Sequence, residues 1–211
     1  MSRSSRDYCG GRIKRTFDLI ASLIGVTLLG PLLGVLAALV FVSSGRPIFF
    51  VQDRVGMGGK TFRLLKLRTM RASGGGPPIT AEGDARVTGL GRFLRASKLD
   101  ELPQLINVLR GDMSLVGPRP EVPQYVARYD AAQRRVLEVR PGLTDPATIL
   151  FRDEERLLGA VSEADRERFY LEEVLPRKLA LNLEYVERAS LLYDLALIAR
   201  TVGVVLLPGR R

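Results

Sequence analysis

The 211-residue chain has no histidine and a single cysteine, Cys9. Without histidine there is no Ser-His or Cys-His nucleophile system, no His-ligated zinc and no imidazole general base. One thiol excludes an intramolecular disulfide and a cysteine-cluster metal site, and it indicates no redox compartment. Aromatic residues make up only 7% of the chain, and no stacking-aromatic or basic-helix module for nucleic acid stands out. Nucleophilic or acid–base chemistry therefore falls to carboxylates, lysine, tyrosine or hydroxyls, and a metal should be a hard ion held by oxygen. Acidic charge is also in deficit. The 23 Asp and Glu against 32 Lys and Arg leave +9, which favours anionic partners such as phosphates, nucleic acid or a charged membrane face. The length suits one sizeable domain, or a domain with an appendage.

What the chain does have is a long apolar run. Leu19 to Gly45 are 27 consecutive residues without a charge. As one helix they would exceed the ~30 Å hydrocarbon core of a bilayer. The run is longer than the apolar region of a signal peptide, no A-x-A site closes it, and a helix apolar all round needs lipid more than protein. Its two flanks are both basic. Arg3, Arg6, Arg12, Lys14 and Arg15 precede it against Asp7 and Asp18; Arg46, Arg54, Lys60, Arg63, Lys66, Arg68 and Arg71 follow against Asp53. Cytoplasmic flanks collect Lys and Arg, and here both qualify. Gly30-Pro31 lies mid-run, where proline deletes a backbone hydrogen bond and forces a kink. A helix broken at Gly30 and Pro31 that enters the membrane and returns on the same side fits both facts. A kinked spanning helix is the alternative.

Beyond it the pattern predicts a mainly α fold with one short β-hairpin. PIFFVQD and KTFRLLKL read as strands around the turn Gly56–Gly59. Residues 71–88 hold a Gly/Pro tract that reads as a loop. Leu99, Leu102, Leu105, Ile106 and Leu109 predict an amphipathic helix that stops at Gly111. Residues 120–138 read as two short helices, the acidic stretch 152–173 as a solvated helical face, and Pro176 as the first turn of another helix. The tail from Ser190 has apolar clusters interrupted by Asp194 and Arg200, suited to a helix lying in the membrane interface. The expected division is 1–45, basic segment and membrane helix, and 46–211, a catalytic domain.

Chemistry concentrates in 84–120. Asp100 and Glu101 are adjacent carboxylates at the start of the amphipathic helix, with Pro103 just after them. Interaction with the helix dipole alone would explain many such acids. Here cations converge on them: Arg92, Arg95 and Lys98 precede the pair, and Lys66 ends the second strand. Arg119 follows, held between Pro118 and Pro120 so that its guanidinium fork has little entropy left to lose. Such a cluster can hold a diphosphate while a carboxylate shares a divalent metal, and a carboxylate can itself be a nucleophile.

The run SKLDELPQLINVLRGDMSLVGPRP, with KRTFD before the apolar segment and KLRTM after it, closely resembles the bacterial sugar transferase family, the monotopic polyprenyl-phosphate phosphoglycosyltransferases. The resemblance covers roughly residues 11–201. It implies transfer of a phosphosugar from a nucleotide diphosphate sugar, usually a UDP-sugar, to a polyprenyl phosphate such as undecaprenyl phosphate. It further implies Asp100 as nucleophile and Mg2+ ligand, Glu101 as its assistant, Arg119 in the Pro118-Arg119-Pro120 phosphate-binding position, and Lys66 and Arg95 beside the substrate. A re-entrant helix broken near a proline is likewise implied, with the catalytic domain on the cytoplasmic face of the bacterial inner membrane. Nucleic acid is not expected as a partner, and a second copy of the chain stays open as one. After Val139-Arg140-Pro141-Gly142 the chain departs from the family's T-G-x-x-Q-V and reads TDPATI, Thr144 to Ile149. That removes the basis for borrowing a sugar from the family. A non-catalytic membrane-anchored module that binds anionic lipid or a partner is the alternative, although it gives no reason for the dyad.

Overall fold

A computed structural model describes residues 3–71 and 79–206. Part of the expected 71–88 loop, residues 72–78, lies outside the described residues. Two helices open the chain, α1 (Arg3–Gly10) and α2 (Arg12–Ser44). At 33 residues α2 is about 50 Å long, and it is apolar enough to cross a membrane. Pro31 sits inside it, exposed. The expected break at Gly30 and Pro31 is absent: one proline removes one bond from a long ladder, and its ring projects away from the domain.

The packing of α2 is one-sided. Its buried residues Lys14, Asp18, Ser22, Leu36 and Val40 fall on a single helical stripe. The first three are polar, and Lys14 and Asp18 bind inward, whereas the Ser22 hydroxyl is buried without a partner among the described residues. Lys14 pairs with Asp194, and Asp18 accepts from Ser114 Oγ and Leu115 N, both at 3.0 Å. Arg15 donates to the carbonyls of Val108 (2.6 Å) and Leu109 (3.0 Å), closing the end of a neighbouring helix. Leu36 and Val40, near the other end, pack with Leu67 and Leu94. Both ends of α2 thus rest on the same domain, while Leu28 and Val42 on other faces are 72% and 84% exposed.

Strands β1 (Phe49–Val55) and β2 (Thr61–Leu67) pair antiparallel, with Phe50 opposite Lys66. Gly58 and Gly59 take φ of 68° and 76° at their turn, a region open to glycine at no steric cost. Then come α3 (Gly89–Ala96), a 3-10 turn (Leu99–Glu101) and α4 (Gln104–Arg110), which ends at Gly111 with φ 94°. The two short strands β3 (Ser114–Val116) and β4 (Gly142–Thr144) run parallel, with α5 (Pro123–Val126) and a 3-10 turn (Gln133–Glu138) between them.

The C-terminal third is helical: α6 (Pro146–Leu150), α7 (Glu154–Gly159), α8 (Glu163–Phe169), a π turn (Tyr170–Val174), α9 (Leu175–Arg188) and α10 (Leu191–Leu206). Pro176 lies in the first turn of α9, as expected. The acidic stretch presents the expected solvated face, with Asp153, Glu163, Asp165, Glu167, Glu172 and Glu173 exposed, and an apolar face opposite. Leu158 and Tyr170 are buried in the largest core cluster, with Val122, Val126 and Leu179. In α10, Asp194 does not interrupt the helix. It is fully buried and takes hydrogen bonds from Tyr8, Lys14 and Tyr185, while Leu192 and Val202 stay exposed.

Candidate active site

The acidic pair forms in a different local structure from the expected helix start. Lys98 adopts φ 57°, a left-handed conformation uncommon for a residue with a side chain. This reverses the chain after α3 and sends Leu99–Glu101 into a 3-10 turn of their own. Leu99 and Leu102 pack toward Leu36, Val40 and Leu67, so the intervening Asp100 and Glu101 are drawn below the surface, at 4% and 8% exposure. Burial of two adjacent carboxylates is costly, and it persists only with compensation.

That compensation goes to Glu101. Its Oε1 accepts from Lys66 Nζ at 2.9 Å and from Arg119 Nη2 at 2.6 Å, and its Oε2 takes Arg119 Nη1 at 3.3 Å. Burial by itself would raise the Glu101 carboxyl, but the Arg119 guanidinium and the Lys66 ammonium hold it well below the usual carboxylate range. Asp100 accepts no hydrogen bond among the described residues, and its Oδ1 is fully buried without a partner. Desolvation pushes its carboxyl upward, Lys66 opposes this, and the Glu101 charge adds to it. Burial lowers Lys66, with Glu101 acting against the shift. Among the described residues no three His, Cys, Asp or Glu converge as a metal cluster. Asp100 is the carboxylate here with an oxygen open to an ion.

Each cation arrives from a fixed element. Asn107 of α4 is fully buried and binds the edge of β2 through Leu65 N (3.1 Å) and Arg63 O (2.8 Å), which sets the position of Lys66. Pro118, Arg119 and Pro120 follow β3, and Gly142 N donates to Pro118 O at 3.0 Å. A Cβ on Gly142 would lie 2.1 Å from Gly117 N, so only glycine permits this approach of β4 to the loop. Asp145, where the family resemblance expects glycine, is fully buried directly after β4. It caps α6 by accepting from Thr148 N (2.9 Å) and Thr148 Oγ1 (2.6 Å). Its carboxyl is raised by burial, with Arg119 and Lys178 pulling against the shift.

The structure brings Lys66 and Arg119 onto the acidic pair, with Pro118 and Pro120 framing Arg119. Arg95 is placed differently: its guanidinium binds Glu155 of α7 and reaches Thr69 Oγ1 at 3.5 Å. Sequence reading missed the brace behind the loop. Arg54 donates to Pro120 O (3.0 Å) and Glu121 (3.4 Å), Tyr170 donates to Glu121 (2.5 Å), and Lys178 pairs with Glu154 at 2.8 Å. One signal was available. Lys178, Asn182 and Tyr185 recur at helical spacing on α9, a buried polar stripe.

A buried pair with one carboxylate neutralised by two cations and the other left bare has the charge asymmetry of a candidate active site. The sequence model of the bacterial sugar transferase family matches residues 10–208, and the chain belongs to this family of transferases. It is 39% identical over 206 residues to a UDP-glucose:undecaprenyl-phosphate glucose-1-phosphate transferase of Caulobacter vibrioides, covering 92% of this chain and 69% of that protein. It is 36% identical to the exopolysaccharide production protein ExoY of Rhizobium meliloti, covering 94% and 87%. A UDP-N-acetylgalactosamine-undecaprenyl-phosphate N-acetylgalactosaminephosphotransferase of Aeromonas hydrophila is 34% identical, over 92% of this chain and 44% of that protein.

Proposed function

We propose that the protein transfers a phosphosugar from a UDP-sugar to undecaprenyl phosphate, the first membrane step of exopolysaccharide synthesis, through a covalent intermediate on Asp100. The bare, buried Asp100 oxygen beside the Glu101–Lys66–Arg119 cluster carries this reading. Asp100 attacks the β-phosphorus of the donor. The bond from that phosphorus to the bridging oxygen breaks, and UMP leaves with the electron pair. An oxygen of the lipid phosphate then attacks the same phosphorus and breaks the acyl-phosphate bond. The product is a polyprenyl-diphosphate sugar, and Asp100 is a carboxylate again.

Glu101 orients the two cations, and Lys66 and Arg119 stabilise charge on the phosphoryl oxygens. Asp100 fits Mg2+ as its protein ligand, with substrate oxygens and water completing the shell; when bound, the ion would offset repulsion between carboxylate and diphosphate. In this reading α2 does not cross the bilayer: its exposed face lies in lipid and both its ends stay on the cytoplasmic side. The attachment of Lys14 and Val40 to one domain supports it.

The names of the relatives make UDP-glucose and UDP-N-acetylgalactosamine the first donors to test. Purified protein given each with undecaprenyl phosphate and Mg2+ should release UMP with one of them. With donor alone it should release at most one UMP per active site and acquire the mass of one phosphosugar. Turnover without that adduct would remove the covalent step.

A further inference from the structure

A second cluster of cations lies away from the Asp100–Glu101 pair. At the end of α2, a cavity of ≈ 350 Å³ is lined by Ser43, Ser44, Arg46, Arg68, Arg71 and the first residues of α3. None of the three arginines has an acidic partner among the described residues, and residues 72–78 contain no acid at all. Arg68 is 93% buried by its 7% exposure; it donates to the carbonyls of Ser44, Gly45 and Arg46, yet its Nε is buried with no partner. Arg68 is held by carbonyl dipoles alone, and three guanidinium groups lining one cavity make a site for an oxyanion. The α3 terminus adds donors. Thr88 Oγ1 takes Gly91 N at 2.9 Å, and the Gly89 and Leu90 N–H groups at the cavity wall have no partner among the described residues.

The exposed side chains near these residues in sequence say what kind of oxyanion belongs there. Phe41 and Val42 precede Ser43 in α2 and are 48% and 84% exposed, and Phe93 lies one turn after Leu90 in α3 at 59%. A basic cavity whose lining segments also carry exposed apolar side chains fits a phosphate borne on a hydrocarbon chain. Arg68 follows Lys66 by two residues, just past the end of β2, so one extended segment runs from the catalytic pair to the cavity.

We propose that the Arg46–Arg68–Arg71 cavity receives the phosphomonoester of the polyprenyl phosphate acceptor before transfer, with the first isoprene units against Phe41, Val42 and Phe93. This rests on the transferase reading above. Arg68 closes the end of α2, so the test uses the exposed Arg46 and Arg71. In Arg46→Gln/Arg71→Gln, KM for undecaprenyl phosphate should rise about tenfold or more, while KM for the UDP-sugar stays within twofold. An unchanged acceptor KM, or a rise in the donor KM instead, overturns the assignment. A measurement without turnover separates this from failure of the transferase reading. Undecaprenyl phosphate retained by the full-length protein in neutral detergent, read by native mass spectrometry, should drop at least fivefold in the double variant. Equal displacement of it by phosphatidylglycerol would show a general lipid-phosphate site and overturn the acceptor assignment.

Discussion

Glu101 is held by both nitrogens of the Arg119 fork, at 2.6 and 3.3 Å, while Asp100 next to it accepts nothing. Two carboxylates of which aspartate is ordinarily the stronger acid are thereby driven the other way, Glu101 toward permanent ionisation and Asp100 toward the protonated form. The asymmetry assigns different work to each, and their substitutions should differ accordingly.

Asp100→Asn should abolish turnover and adduct formation, because the amide is neither nucleophile nor a good ligand for a hard ion. It should not lower Tm at neutral pH, since it removes a charge that burial disfavours. A folded variant with wild-type UMP release would take Asp100 out of the nucleophile role.

Glu101→Gln should behave in the opposite way. It leaves Lys66 and Arg119 facing each other without a countercharge, at a cost of about 3–5 kcal/mol in unfolding free energy. Urea unfolding of the two variants side by side measures the contrast. Equal stability would contradict it.

The pH dependence has opposite signs for the two residues. Glu101, depressed in the fold, contributes stability that is present above its unfolded value of about 4.3 and lost as pH falls through its folded value. Asp100, raised in the fold, costs stability once ionised, so the advantage of Asp100→Asn should vanish below about pH 4. In activity, the acid limb for adduct formation should lie above the ordinary aspartate range, as pre-steady-state UMP release can show.

Arg119→Lys should reduce kcat/KM for the UDP-sugar roughly tenfold or more, because an ammonium cannot replace a two-pronged contact with both carboxylate and phosphate. Unchanged donor kinetics would place the diphosphate elsewhere.

Topology has a direct assay. Cys9 is 5% exposed, and burial pushes its thiol up to about 11, so the native cysteine labels poorly whichever side it faces. Gly10 is exposed with open space around a Cβ. In Cys9→Ser/Gly10→Cys, a membrane-impermeant maleimide should label only after permeabilisation. Labelling in intact cells would mean that α2 spans.

Much of the site was legible because it lies within one short segment. Asp100, Glu101 and Arg119 are 19 residues apart at most, and the prolines around Arg119 announce a constrained loop. The hairpin was legible from its alternating residues and glycine turn. What composition could not convey was the partner of each charge. Lys14 and Asp18 read as flank charges of a membrane run, yet they hold α2 to the domain through Asp194 and β3, contacts that depend on chain far away. Arg95 was placed beside the substrate by the family resemblance; its ion pair with Glu155 could not be read, because only folding brings the two together. Glu154 and Lys178 were hidden for the same reason, since an acidic stretch looks solvated until its cations are located.

The bond between Lys14 and Asp194 joins residues 180 positions apart. During synthesis the apolar α2 leaves the ribosome well before this anchor. At ~5–20 residues per second the interval is about 10–40 s. Within it Leu36 and Val40 can meet Leu67 and Leu94, and Asp18 can meet Ser114, while Lys14 still waits for Asp194. The basic end of α2 is therefore the part fastened latest.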